Sequence, residues 1–170
     1  VCPLLEVGVL LEKTYGARIE GRPTPYDIPM MVPEIGGTWP PIEQVSLREQ
    51  GQAAGELFTT FMASRQVEPA SAIPTPGGYL WHGGSVLRDS EVGAAGRIYD
   101  AIVVGRPDSG GGYPRYVTFE SALFESGRPL VVAPPQAPTR IGSDVVIHWN
   151  ASTETARAIS HAMRVLEKAE

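Results

Sequence analysis

The stretch from Tyr99 to Ala133 constrains the fold more tightly than any other part of the chain. Tyr99 to Val104 is a mainly apolar run that stops at Gly105, short enough for a strand covered on both faces. Glycines at 110, 111 and 112 then interrupt any regular element. Beyond them Phe119, Ala122 and Leu123 mark one face of a helix that Gly127 can end, and Leu130 to Ala133 supply a second buried strand. Strand, glycine-rich loop, helix and strand in that order is the unit of a parallel α/β sheet, because parallel neighbours need a crossover that a helix provides. The loop at the end of the first strand is where such sheets meet ligands.

The remaining segments fit around this unit. Leu4, Leu5, Gly8, Leu11 and Tyr15 recur at helical spacing before Gly16, predicting a helix over 3–15, followed by a short strand over 17–21. Prolines and glycines crowd 22–39 and predict a long loop, with a lid as one reading of it. Pro40 and Pro41 suit the start of a helix that ends near Arg65, with Ile42, Val45, Ala53, Leu57, Phe58, Phe61 and Met62 as its buried stripe. Gly78 to His82 reads as a strand, and Ser85 as the cap of a weakly patterned helix reaching about Arg97. Pro134, Pro135 and Pro138 make 134–144 a semi-extended connector. Val145 to Trp149 then reads as a strand ending at Asn150. Ser152 caps a last helix with Ala156, Ile159, Met163 and Leu166 on one face.

A chain of 170 residues with 42% hydrophobic composition can bury one substantial core, so a single domain is the starting expectation. A net charge of −5 gives no reason to expect a nucleic-acid partner or an acidic membrane surface. Cys2 is the lone cysteine and implies no oxidising compartment; no apolar run is long enough for a membrane span; and 1–11 lacks the basic region of a signal peptide. These features predict a cytoplasmic protein with no membrane partner.

The loop after Val104 carries neither a GK[ST] ending nor a G-x-G-x-x-G pattern, so it is neither a Walker loop nor a dinucleotide fingerprint. A solvated turn and a ligand contact are equal readings of it. Asp108-Ser109-Gly110-Gly111 is superficially like a protease nucleophile segment, but no histidine stands in a catalytic motif and Ser109 reads as a turn residue. His82, His148, His161 and Cys2 lack paired ligand spacing, so no metal is predicted. Trp81 and His82, between glycines, could line a cleft, with core packing the alternative for Trp81. Arg106, Arg115 and Arg128 flank the loop in sequence and could aid anion binding, or be solvated or acid-paired.

AIVVGRPDSGGG at 101–112, ALFESGRPLVVAPP at 122–135 and VVIHWNASTETARAI at 145–159 together resemble the universal stress protein family, most closely its tandem-domain bacterial members. The resemblance implies an α/β fold with an open parallel five-stranded sheet in order 3-2-1-4-5 and helices on both faces. Under it, 1–133 is one such domain lacking its first strand, 134–144 is a linker, and 145–170 is the strand and helix that open a second repeat. The segment 145–150 would then fill the vacant central position, in cis or by swapping into a second copy. An eleven-residue connector spans enough at roughly 3.3 Å per residue to allow the cis route.

Nucleotide-binding members of the family carry G-x2-G-x9-G-[ST] after the fourth strand. In this chain Gly105 alone matches: Asp108 takes the second glycine position, and Thr118 and Phe119 stand where spacing places the final pair. An aspartate common at the end of the family's first strand corresponds to Asn150. Glycines 110 to 112 could still form a displaced amide cradle, while a carboxylate at Asp108 would repel phosphate unless a metal or Arg106 compensated. The resemblance therefore implies a non-catalytic ligand-sensing or protein-association module with degenerate ATP binding. No cofactor is required by this reading; ATP or another nucleotide is a possible ligand, and a homodimer the expected assembly. The expected ligand-facing residues are Val104, Gly105, Arg106, Asp108, Ser109, Gly110, Gly111 and Asn150. The alternative is a nucleotide-binding protein or slow ATP hydrolase using the displaced loop.

Overall fold

A computed structural model describes residues 2–24, 47–71, 73, 75–84, 86–107 and 114–170, without the side chains of 47 and 48. The expected start of the second helix at 40–46, nearly all of the proline-rich loop from 25 on, and the glycine cluster at 108–112 lie outside the described residues.

Helix α1 (Pro3–Tyr15) begins with proline in its first turn and ends at Gly16, which adopts φ 67° and returns its N–H to the Glu12 carbonyl at 2.8 Å. Strand β1 (Ile19–Gly21) follows, then α2 (Leu47–Ser64) and β2 (Tyr79–Trp81). Strands β1 and β2 pair in parallel, Ile19 with Tyr79 and Gly21 with Trp81. Val9, Phe58, Met62 and Val67 form the core beneath them, with Ile19, Tyr79 and Trp81 packed on it. Phe58 meets Trp81 at 5.1 Å and Tyr79 edge-on at 5.7 Å between ring centroids.

The expected strand–helix–strand unit is present. Strand β3 (Ile102–Gly105), α4 (Tyr116–Glu125) and β4 (Leu130–Ala133) follow a short helix α3 (Val92–Gly96), and β3 pairs with β4 in parallel from Ile102–Leu130 to Gly105–Ala133. Val92, Val104 and Ala122 form a second core with Ile102, Phe119 and Leu130 around it. Ser85, the expected cap, lies outside the described residues, and in place of a helix reaching about Arg97 there is a 3-10 turn, Asp89–Glu91, leading into α3's five residues. Two glycines and no sustained apolar stripe leave that segment little to hold a longer helix together.

The chain is mixed α/β as expected, and among the described residues the strands form two parallel pairs, β1–β2 and β3–β4, with no five-stranded order among them. Residues 145–150 form no strand, although Val146 and Ile147 favour one; a strand exists only through a pairing neighbour, and this segment has none. Helix α5 (Thr153–Leu166) forms as expected, with Ser152 accepting from the Thr155 N–H at 3.1 Å, yet it buries no residue. Helix α1 lies against β1, β3 and β4 and so links the two halves. Among the described residues no helix is long and apolar enough to cross a membrane.

Candidate ligand-facing site after β3

Val104 is buried, Gly105 half-buried and Arg106 exposed, so β3 runs from the core to the surface as it enters the loop. Asp108, Ser109, Gly110 and Gly111 lie outside the described residues. The far side of the loop is the start of α4, where Arg115 is the N-cap in extended conformation and its side chain makes no cap bond.

One carboxylate dominates that helix start. Asp89, first residue of the 3-10 turn, accepts from Arg115 Nη2 on one oxygen and from the Thr118 hydroxyl on the other. Thr118 is 5% exposed, and the Asp89 side chain 13%. A half-buried anion beside the first turn of α4 also sits at the favourable end of the helix dipole. Arg115 and Thr118 are thus engaged by the chain's own acid. Sequence reasoning missed Asp89, because it lies in a weakly patterned stretch and meets its partners only through folding. Arg128, the third flanking arginine, is bound to the Arg97 carbonyl through Nε at 2.9 Å and Nη2 at 2.6 Å.

Asn150 lies in an exposed stretch, where its side-chain oxygen accepts from Ser152 N at 3.1 Å and from the Thr155 hydroxyl. Through these two bonds it serves the start of α5.

A second polar cluster, also unforeseen, joins the two halves. Ile19 packs into the α1–α2 core, and a Cβ on Gly21 would come within 2.9 Å of the Phe58 ring, so both face the helices and Glu20 between them faces away. Its carboxylate accepts from Arg18 Nε at 2.9 Å, His82 Nε2 at 2.7 Å and Tyr99 Oη at 3.0 Å. Tyr99 Oη accepts in turn from Arg22 Nε at 3.0 Å. Burial pushes the Glu20 carboxyl up, but the hydrogen bonds from His82 and Tyr99 and the charges of His82 and Arg18 outweigh it and hold the group below its ordinary range. Burial and the Glu20 carboxylate raise the Tyr99 hydroxyl against the opposing Arg22. With both Glu20 oxygens occupied, the cluster holds structure together and offers no free base. Trp81 belongs to the core, as one of the two sequence readings had it.

The described residues contain no group of three His, Cys, Asp or Glu side chains able to hold a metal. A surface concavity of about 370 Å³ lies over α4, lined by Ser90, Val117, Glu120, Ser121, Phe124 and Glu125. No family model, curated protein or solved structure matches the chain. Its chemistry has to be argued from the groups themselves.

Proposed function

We propose that this chain is a universal stress protein-like, non-catalytic module that works by ligand sensing or protein association, with ATP binding impaired. The observation that carries the reading is the Asp89 carboxylate held by Arg115 and Thr118 at the start of α4. Thr118 stands where the family spacing places the small residue that lets phosphate approach. A phosphoryl group arriving there meets a carboxylate that already occupies the hydroxyl and the guanidinium, and Asp108 adds a second negative charge to the loop sequence. The strand–helix–strand unit gives the loop its place at the end of a parallel strand, where ligands of such sheets sit.

Titration with ATP, ADP and cyclic nucleotides, with and without magnesium, tests the reading. The expected result is no tight ATP binding and no turnover. Tight ATP binding overturns the impairment, and nucleotide hydrolysis that Gly110→Val abolishes makes the chain an enzyme.

A further inference from the structure

The association half of that reading can be taken to a particular partner. A residue in a strand turns its N–H and C=O to one side, and the next residue turns them to the other. Ile19 N bonds the Gly78 carbonyl and His82 N the Gly21 carbonyl, each at 2.9 Å, so Ile19 and Gly21 face β2 and Glu20 faces the free edge of β1. Ile102 N bonds the Pro129 carbonyl at 3.0 Å, so Ile102 and Val104 face β4 while Val103 and Gly105 face the free edge of β3. The far side of β2 is already covered, by Tyr79 N to the Glu68 carbonyl at 2.9 Å and Ala70 N to the Tyr79 carbonyl at 2.7 Å. Among the described residues no strand pairs on these two edges of β1 and β3, and side chains bridge them, Glu20 and Arg22 to Tyr99. A single parallel strand placed between them would satisfy both of its own sides.

The same chain exposes such a strand. Val146, Trp149 and Ile147 are 81%, 60% and 49% exposed in a segment with no secondary structure, and the helix after it buries nothing. The arm closes on itself where Glu170 N bonds the Ser143 carbonyl at 2.9 Å, and it is fastened to the body by Lys168, which bonds the Thr14 carbonyl and lies over the Tyr15 ring. Val146, Ile147 and Trp149 are left open to solvent. A neighbouring molecule can therefore engage them with the fastening intact.

We infer that Val145–Asn150 of a second copy inserts between β1 and β3, in a reciprocal strand-exchanged dimer. The exchange rests on the association reading but not on the fate of ATP. Symmetry lets each molecule give one strand and receive one, so the contact closes at two copies.

Sedimentation across micromolar concentrations, combined with amide hydrogen exchange, tests it. A dimer is expected in which the amides of Glu20, Val103 and Ile147 are protected and lose that protection together on dilution. Ile147→Pro, in a segment outside both cores, should weaken the dimer about tenfold or more by removing a ladder donor, while Ile147→Val leaves it intact. A monomer at every concentration overturns the inference, and protected amides in that monomer reassign the strand to its own chain. A dimer indifferent to Ile147→Pro overturns it in favour of another surface. Nucleotide titration of the same samples keeps the two readings apart, since tight ATP binding defeats the impairment whatever the dimer does.

Discussion

Tyr99 donates its hydroxyl proton to the Glu20 carboxylate across 3.0 Å and joins residues 79 positions apart in sequence. With Arg22 donating to the same hydroxyl, this is the polar link between the β1 edge and the segment entering β3. Neither strand pairs with the other, so side chains do what a ladder does elsewhere in the sheet. Tyr99→Phe keeps the ring and deletes the link, and should destabilise the chain by about 1.5–3 kcal/mol in urea unfolding, the range for a hydrogen bond to a charged group. In a double-mutant cycle with Glu20→Gln, a coupling of about 0.5 kcal/mol or more is expected; additive effects would mean that the two residues act separately.

The chain should lose stability in acid through two carboxylates. Glu20 is held below its ordinary value of 4.5 by the hydrogen bonds and charges that outweigh its burial. Glu6 is held below the same value by the hydrogen bond from Arg65, whose Nε donates at 2.9 Å, against a smaller effect of burial. A group whose folded pKa is depressed stabilises fully above its unfolded value, and that stabilisation fades as pH falls through 4.5 towards the folded one. Thermal unfolding between about pH 6 and pH 3 should show a steeper decline for the natural chain than for a Glu6→Gln, Glu20→Gln double variant. Parallel curves would remove both groups from the account.

Local signals carried most of the fold. Helix α1 was legible from its periodicity and Gly16, β3 and β4 from short apolar runs bounded by glycine, and α5 from Ser152 and one apolar face. The segment 145–150 shows where such reading stops. Its β-branched residues favour a strand that the structure does not show, because propensity cannot supply the neighbouring edge on which a strand depends. Asp89 and Glu20 were invisible for a related reason. Their partners lie 26 to 29 residues away for Asp89 and 62 and 79 for the His82 and Tyr99 bonds to Glu20, so no spacing pattern announces them.

Helix α3 packs on α4 so closely that one position tolerates no side chain. A Cβ on Gly93 would lie 2.3 Å from the Ser121 carbonyl oxygen and 2.6 Å from Glu125 Cβ, while the Gly93 N–H donates to Ser121 Oγ at 3.0 Å. Backbone on the opposing helix cannot swing aside as a flexible side chain would. Gly93→Ala should therefore destabilise the chain by about 1–3 kcal/mol despite alanine's better helix propensity. The measurement is the denaturant midpoint at unchanged slope, and a stabilised variant would contradict this packing of α3 against α4.

Asp89 makes the sharpest test of the loop after β3, because charge and hydrogen bonding can be separated there. Asp89→Asn keeps an acceptor for Thr118 and removes the negative charge, whereas Asp89→Ala leaves the buried Thr118 hydroxyl without this acceptor and should cost about 1–3 kcal/mol. If the carboxylate is what turns phosphate away from the start of α4, Asp89→Asn should bind ATP more tightly than the natural chain in a calorimetric titration. The gain should shrink as salt is added, since attraction between an anion and the charges at a helix start is screened. An Asp89→Asn variant that folds normally and binds ATP no better assigns the impairment to the loop itself, with Asp108→Gly the next substitution to titrate.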